Sequence, residues 1–372
     1  MSLKLKMTTY KIILVCGALS LCSSCSWQIK SKELNTSGEA ISLGETVAQI
    51  DQNALIIFQD SKNNFWFGGN KKGVYKYDGH SLVLYTEKDG LIGTDVLGIQ
   101  EDRLGNIYFD ATQGVSKFDG QRFTTLQIME KSTGNNEWKS EPNDLWFRMG
   151  WNSDGPYRFD GKNLYHLEFP RNEMENEFSS RNPNVSYNPY GIYHLYKDSK
   201  ANIWFGTSNL GVYKYDGNDI SWMYEKHLTE TPEGGSFGIR SIIEDKDGFI
   251  WICNPRYKFR ILPDNSKTND PEPMNYQRES GIESTRSKGL YFMSMTLDNN
   301  GDLWMATYDN GVWRNSGNEL FHYPIKDGET DVMLFSIYKD NQGALWLGTH
   351  NAGVFKYNGE LFEKFEFSNH IR

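Results

Sequence analysis

The sequence repeats one phrase along almost its whole length. The phrase is clearest in NIWFGTSNLGVYKYDG, from Asn202 to Gly217, which joins an apolar run with an aromatic residue, two turn glycines and a final Asp-Gly pair. Five other versions begin at Phe65, Asn106, Asp144, Asp302 and Ala344. A degenerate version without the glycines begins at Phe249. Self-similarity at this period is typical of folds built from one supersecondary unit used many times.

Each copy contains one anchor aromatic, and together these are Trp66, Tyr108, Trp146, Trp204, Trp251, Trp304 and Trp346. Successive anchors are 42, 38, 58, 47, 53 and 42 residues apart, the range in which a repeat is one four-stranded propeller blade. Aromatic residues make up 14% of the 372 residues, with 35 glycines and 11 prolines, a balance that favours strands and tight turns over helices. We therefore predict an all-β fold, a seven-bladed β-propeller of four-stranded antiparallel blades over residues 51–368, with no helix after the N-terminus.

The N-terminus predicts a lipoprotein signal peptide over residues 1–24. Three lysines precede a ten-residue apolar run, Ile12 to Leu21, which is too short to span a bilayer. Cys25 is the expected lipid acceptor because serines precede it, whereas leucine precedes Cys22; an ordinary secretory signal is the alternative. Residues 25–50 are a linker or a closing strand, since 41–50 could also pair with the last blade.

Charge and cysteine content exclude some functions. Cleavage before Cys25 removes three lysines and leaves 36 basic and 48 acidic residues, a net charge of −12. Such a surface repels phosphate backbones, so nucleic acid is not an expected partner. Only Cys25 and Cys253 remain of the four cysteines, which excludes a disulfide framework. We expect a monomer held to a membrane by its N-terminal lipid.

An aspartate stands six residues before every anchor except Trp146, where Ser140 replaces it: Asp60, Asp102, Asp198, Asp245, Asp298 and Asp340. Each begins a short turn between two apolar runs, where a carboxylate accepts backbone N–H groups and closes a hairpin. Asp298, Asn300 and Asp302 resemble the start of a calcium loop, but no downstream glutamate completes it, and the turn interpretation is favoured. The sequence predicts no metal and no cofactor.

The apolar runs before these aspartates predict the innermost strands. Four residues before each aspartate, mostly small side chains would line a crowded central channel: Ile56, Gly98, His194, Ser241, Ser294 and Ser336. His194 is the exception. It is interpreted either as a hydrogen-bonded core histidine or as part of a site in the channel.

The pattern D-x-x-G-x-(I/L)-W-x-G-T-x-x-G-(V/L)-x-(K/R)-(Y/F)-D-G resembles the two-component regulator propeller repeat of periplasmic sensor regions in bacterial hybrid histidine kinases. Asp198 to Gly217 and Asp340 to Gly359 match it best. The resemblance implies a propeller like that of these sensors, here without the further β-domain, membrane helix and kinase modules. A more distant resemblance, to the G-x-I-W-F repeats of streptogramin lyases, implies a lyase as one alternative.

Candidate site residues are those that depart from the repeat. Asp110 replaces a glycine, Arg148 and Trp151 stand in the irregular third copy, and Arg256 and Tyr257 follow the fifth anchor. Tyr308 and His350 extend into the same predicted loop face, which carries the loops from second to third strand and between blades, and His194 joins the candidates from the channel. Tryptophan, tyrosine and arginine near an acid suit stacking on sugars or binding of a carboxylate.

Three classes of function fit these features. The favoured one is a non-catalytic, lipid-anchored binding or sensor-like propeller, on the periplasmic side of the outer membrane, that recognises a glycan, a peptide or a protein. The second is a lyase that uses His350 with Asp110 or His194, although no catalytic motif is present. The third is an accessory subunit of an envelope complex, identified by an exposed aromatic patch.

Overall fold

The computed structural model describes residues 43–69, 71–129, 138–231, 236–263, 272–282, 291–317 and 319–367. The predicted signal peptide and Cys25 lie outside these ranges. Seven sheets follow one another along the chain, one for each predicted anchor. The prediction of a seven-bladed propeller is therefore confirmed.

The strands divide among the blades in chain order. Blade 1 contains β1 (Glu45–Thr46), β2 (Ile56–Gln59), β3 (Phe65–Gly68), β4 (Val74–Tyr77) and β5 (Leu82–Tyr85). Blade 2 contains β6 (Val96–Glu101), β7 (Ile107–Ala111), β8 (Gly114–Phe118) and β9 (Phe123–Thr125). Blade 3 contains β10 (Leu145–Phe147), β11 (Tyr157–Phe159) and β12 (Leu164–His166). Blade 4 contains β13 (Ile192–Lys197), β14 (Ile203–Thr207), β15 (Val212–Tyr215) and β16 (Ile220–Met223).

The remaining three blades complete the ring. Blade 5 contains β17 (Ile242–Glu244), β18 (Ile250–Ile252), β19 (Tyr257–Ile261) and β21 (Tyr276–Ser280), while β20 (Glu272–Pro273), which precedes β21, pairs with β16 of blade 4. Blade 6 contains β22 (Ser294–Leu297), β23 (Leu303–Ala306), β24 (Val312–Ser316) and β25 (Glu319–Tyr323). A hairpin follows, formed by β26 (Lys326–Asp327) and β27 (Thr330–Asp331). Blade 7 contains β28 (Leu334–Lys339), β29 (Leu345–Thr349), β30 (Val354–Tyr357) and β31 (Phe362–Lys364).

The structure differs from the prediction in three details. Two short helices, α1 (Met174–Arg181) and α2 (Lys226–Thr229), lie in connections where no helix was predicted. In α1, Met174 and Phe178 stand four residues apart and pack on one face against the core of blade 4, so packing stabilises a helix that the sequence pattern does not reveal. Blades 1 and 4 also have a fifth, two-residue strand on the outer edge, and blade 3 has three strands among its described residues.

The core lies between neighbouring blades. Trp66 packs with Val96 and Phe109 of blade 2, and Trp204 packs with residues of blade 5. Trp346 of blade 7 packs in the same way with Ile57 and Phe67 of blade 1. Each of these anchor side chains is about 1% exposed, so the anchors join consecutive blades and also join the last blade to the first.

The turn aspartates also bind the anchors, which the sequence analysis did not predict. In blade 4, one oxygen of Asp198 accepts backbone N–H groups of Lys200 and Asn202, as predicted. The other accepts the indole N–H of Trp204 at 2.8 Å. The equivalent bond, from indole N–H or Tyr108 hydroxyl, occurs in six blades with lengths of 2.7–3.0 Å. This hydrogen bond explains why the turn aspartate stands six residues before the anchor aromatic in these six blades.

The ring closes through the same contacts that join its other blades. A turn N–H of Ser61 binds Glu101 of the next blade at 2.7 Å. Across the closure, the turn N–H of Asn341 in blade 7 binds Gln59 of blade 1 at 2.8 Å. Within the described residues, β1 pairs with the outer strand of blade 1, where Glu45 faces Leu84.

Candidate functional site

Glycines two residues after the anchor allow neighbouring blades to approach closely. A Cβ on Gly206 would lie 2.4 Å from the carbonyl oxygen of Ile239, and one on Gly348 would lie 2.3 Å from that of Leu55. Both contacts are with backbone of the next blade, so no side chain fits. Close packing of neighbouring blades therefore requires glycine at this position of the repeat. A larger residue here indicates that the two blades contact each other differently.

Blade 3 has a different inner edge. No described residue forms a strand inside β10, although residues 130–137 are outside the described part of the chain. The connection from blade 2 follows the outer edge of blade 3, where the N–H of Met129 binds the carbonyl of Leu164 at 2.9 Å. Residues 138–144 then lead into β10 without forming a strand.

Two predicted site residues bind the inner edge of blade 3. Asp110 takes the glycine position of blade 2, and its carboxylate accepts the backbone N–H groups of Arg148 and Met149, both at 2.9 Å. Arg148 takes the glycine position of blade 3, and its Nη1 donates to the carbonyl of Tyr193 at 2.7 Å. Its Nη2 donates to the carbonyl of Leu97. Arg148 thereby connects the inner strands of blades 2 and 4.

A cavity of about 550 Å³ occupies the channel beside this edge. Predicted residues in its wall are Asp110, Arg148, Trp151 and His194. Five of the six predicted channel positions also line it, namely Ile56, Gly98, His194, Ser294 and Ser336. Its volume lies within the usual range for small-molecule sites.

Cations and aromatic rings alternate at one end of this cavity. The Arg148 guanidinium lies 4.4 Å from the centre of the Trp151 ring. Trp151 meets Tyr193 edge to face at 5.2 Å, and the Arg240 guanidinium lies 4.6 Å from the Tyr193 ring centre. The aromatic faces stabilise two cations that are largely removed from water.

Burial sets the protonation of these groups. It lowers the pKa of Arg148 to about 10, which leaves the guanidinium charged at neutral pH. It lowers the pKa of His194 to about 4, with the charge of Arg148 acting in the same direction, so the imidazole is neutral at pH 7. Burial also raises the pKa of Asp110, against the opposing effects of Arg148 and of the two backbone N–H groups.

His350 and Tyr308 form a second group, next to a residue of the cavity wall. Their rings meet edge to face at 5.5 Å, and His350 contacts Phe335, which lines the cavity, at 5.4 Å. Tyr308 is 42% exposed. Burial and then the charge of Arg240 lower the pKa of His350.

Arg256 and Tyr257 do not line this cavity. The Arg256 guanidinium lies 5.2 Å from the centre of the Tyr257 ring, and Arg278 lies 4.5 Å from it. Arg278 in turn forms an ion pair of 3.3 Å with Glu225. These residues constitute a separate cluster on blade 5.

Sequence reasoning missed Tyr193, Arg240 and Phe335 of the cavity wall. All three stand five residues before a turn aspartate, next to the predicted channel position. Their position in the repeat could have identified them, because two adjacent residues at the start of an inner strand can both reach the channel.

Catalytic and metal-binding arrangements outside the cavity have little support. Ser153 and Asp154 both approach the same nitrogen of His166, at 3.2 and 3.0 Å, so the imidazole cannot relay a proton between them. In the part of the chain that the structure describes, no group of three His, Cys, Asp or Glu side chains could hold a metal ion. Nor do the described residues include a helix of the length and apolar character that crossing a membrane requires.

Comparison with known proteins gives one family match and many structural ones. The family model described as "Two component regulator propeller" matches residues 328–351. No curated protein matches the sequence significantly. The extracellular domain assigned to a hybrid two component system of B. thetaiotaomicron shares 21% identity, with a TM-score of 0.55, over 86% of this chain and 40% of that one. This chain therefore spans about two fifths of that extracellular domain.

Two further solved structures have other functions. Virginiamycin B lyase from Staphylococcus aureus, in its catalytically inactive form, is 16% identical with a TM-score of 0.58, over 84% of this chain and 97% of that one. PorZ, a surface component of the type-IX secretion system of Porphyromonas gingivalis, is 14% identical with a TM-score of 0.51, over 86% and 48%. At these identities the likeness shows the fold alone. The chain thus carries a two component regulator propeller repeat at residues 328–351, on a seven-bladed propeller fold that sensor, lyase and secretion-system proteins share.

Proposed function

We propose that this chain is a non-catalytic, sensor-like binding propeller of the bacterial cell envelope, which holds a glycan, a peptide or a protein partner at its channel and loop face. The observation that carries the proposal is the cavity of about 550 Å³, whose wall contains four of the predicted site residues. A concave site with a few charged and aromatic groups in a largely apolar wall is typical of ligand binding.

The contacts of Asp110 and His194, two of the three residues predicted for lyase chemistry, favour binding; the third, His350, packs edge to face on Tyr308 and Phe335. Both oxygens of Asp110 accept backbone N–H groups, which is a structural role. The ring of His194 is hydrogen-bonded to the backbone of Ile242, and burial keeps its pKa low. A general base needs a free lone pair and a pKa near the working pH, and neither residue meets both conditions.

The location rests on the leader sequence and on the relatives. The matched two-component domains are extracellular, which supports a place outside the cytoplasm. Cys25 would then carry the lipid that holds the propeller at the membrane, on the periplasmic side. Labelling with radioactive palmitate should mark the wild type and Cys22→Ser but not Cys25→Ser; label retained in Cys25→Ser would contradict this anchor.

A cavity-filling variant tests the binding proposal. A Cβ on Gly98 would meet only Asp110, at an ordinary 3.5 Å, so Gly98→Leu should fold and fill part of the cavity. Thr124→Leu, on the exposed outer strand of blade 2, is the matched control. The full chain is melted with oligosaccharides and peptides, and a ligand at one hundred times its Kd stabilises the native state by about 2.7 kcal/mol.

We expect at least one compound to raise the melting temperature of the wild type and of Thr124→Leu, but not of Gly98→Leu. An equal shift in all three chains would place the ligand outside the cavity. A screen without any shift in the wild type would count against a small ligand and against the proposed function of this site.

A further inference from the structure

Two arginines lie at one end of the channel cavity. Arg148 and Arg240 both line it, and burial lowers the pKa of each. Both contact Tyr193, since Arg148 binds its carbonyl at 2.7 Å and the Arg240 guanidinium lies 4.6 Å from its ring centre, and the charge of Arg240 also lowers the pKa of Arg148. Like charges that are both removed from water are unfavourable unless an anion is near.

The described residues compensate the charge of Arg148 better than that of Arg240. Neither arginine forms an ion pair with a carboxylate in the described part of the chain. The charge of Asp110, whose oxygens bind the backbone N–H groups of Arg148 and Met149, raises the pKa of Arg148, whereas no carboxylate of the described residues acts on Arg240 in this way. Arg240 donates through Nε to the carbonyl of Phe237 at 3.0 Å.

Donor groups therefore remain available at this end of the cavity. The Nη1 and Nη2 atoms of Arg240 have no hydrogen-bond acceptor among the described residues. A carboxylate matches the planar fork of a guanidinium and would neutralise part of the buried charge. This end of the cavity therefore favours the binding of a planar anion such as a carboxylate.

The rest of the wall favours a polyhydroxylated molecule. Phe335 presents an aromatic ring, and no cation lies over it among the described residues. Asn143 and Lys197 offer hydrogen-bonding groups at other points of the wall, and only one contact of the Lys197 ammonium, to the carbonyl of Pro142 at 3.2 Å, is made within the described residues. A sugar ring offers an apolar face for stacking and hydroxyl groups for such partners.

We propose that Arg240, with the charge of Arg148 beside it, binds the carboxylate of a sugar acid, a uronate, whose ring lies in the channel cavity. The inference rests on the proposed function and names the ligand class of the same site. The cavity volume of about 550 Å³ admits one or two sugar residues, so the ligand would be a small uronate or the end of an acidic glycan.

Calorimetric titration of the full chain tests this proposal. The probes are galacturonate, digalacturonate, neutral galactose and the dipeptide Gly-Glu. The informative variant is Arg240→Gln, which removes the charge but keeps an amide donor; Arg148→Gln is avoided because it would break the two hydrogen bonds that connect blades 2 and 4. Arg240→Lys keeps the charge without the fork, and Arg122→Gln, on an 80% exposed side chain, is the control.

We expect the wild type and Arg122→Gln to bind an acidic sugar at least tenfold more tightly than galactose. Arg240→Gln should lose this preference while its melting temperature stays close to that of the wild type, and Arg240→Lys should lie between them. The preference should also weaken as salt is raised, since the interaction is between charges.

Other results would overturn the inference in distinguishable ways. Equal affinity for galactose and galacturonate would exclude the carboxylate, and binding of Gly-Glu alone would exclude the sugar. The wild type could bind none of the four probes while a compound from the melting screen still stabilises the wild type and not Gly98→Leu. In that case the sugar-acid inference fails and the proposed function stands. If that screen also finds nothing, both fail.

Discussion

The guanidinium of Arg148 on blade 3 donates a hydrogen bond of 2.7 Å to the carbonyl oxygen of Tyr193 on the inner strand of blade 4. The same side chain binds the carbonyl of Leu97 on the inner strand of blade 2. One residue thus bridges two blades at the point where the described part of blade 3 has no inner strand of its own.

Arg148→Ala should therefore destabilise the propeller. Two buried carbonyls would lose a charged donor, and the free energy of unfolding should fall by about 3 kcal/mol. Arg122→Ala, an 80% exposed side chain, should change it by less than about 0.5 kcal/mol. Urea unfolding followed by tryptophan fluorescence measures both. Equal stability of the two variants would show that the bridge contributes nothing.

The turn aspartates should contribute unequally to their blades. Asp198 accepts the indole N–H of Trp204 and two backbone N–H groups, so Asp198→Ala should cost about 2–4 kcal/mol. Ser140 stands at the equivalent position in blade 3, where its backbone N–H and its side chain both contact the Tyr215 hydroxyl and no indole bond is formed. Ser140→Ala should cost less than about 1 kcal/mol in the same unfolding experiment. A comparable loss in both variants would mean that the turn, and not the indole bond, determines stability.

Gly348 lies where two blades approach closely, so a side chain at this position should destabilise the protein. Its substitution by alanine would put Cβ 2.3 Å from the carbonyl of Leu55, at the junction of the last and first blades. We expect a loss of about 1–3 kcal/mol from this overpacking. Gly98→Ala is the control, because its Cβ would lie 3.5 Å from Asp110, and its effect should stay within about 1 kcal/mol. The contradicting result is a Gly348→Ala chain as stable as Gly98→Ala.

His194 should make stability depend on pH. Its pKa is lowered from 6.5 to about 4 in the folded chain, so the unfolded chain binds the extra proton between these values. The free energy of unfolding should fall as the pH drops through this window, by about 2 kcal/mol between pH 7 and pH 5. His194→Gln keeps a donor and removes the titration. Urea unfolding at the two pH values should show a smaller difference in this variant, and an unchanged difference would assign the effect to other groups.

The sequence was most informative where every blade obeys the same geometry. The anchors and turn aspartates recur because each blade packs on the next, and this made the number of blades predictable. The departures at Asp110 and Arg148 were also visible, but their cause was not. The described residues of blade 3 form no strand inside β10, and in the sequence this shows only as the lack of an apolar run before Ser140. Arg240 was missed since it lies just before the regular inner strand of blade 5, and its place in the cavity depends on the packing of distant blades.

The central claim is that a ligand occupies the channel cavity, and thiol labelling tests it most directly. Cys253 is fully buried, and burial raises its pKa to about 12, so it should react slowly. In a full chain with Cys16→Ser, Cys22→Ser and Cys25→Ser, Gly98→Cys would place one reactive thiol at the cavity wall. We predict rapid reaction with a small maleimide, slowed at least tenfold by digalacturonate at a concentration that raises the melting temperature. An unchanged rate at that concentration would show that the ligand binds elsewhere.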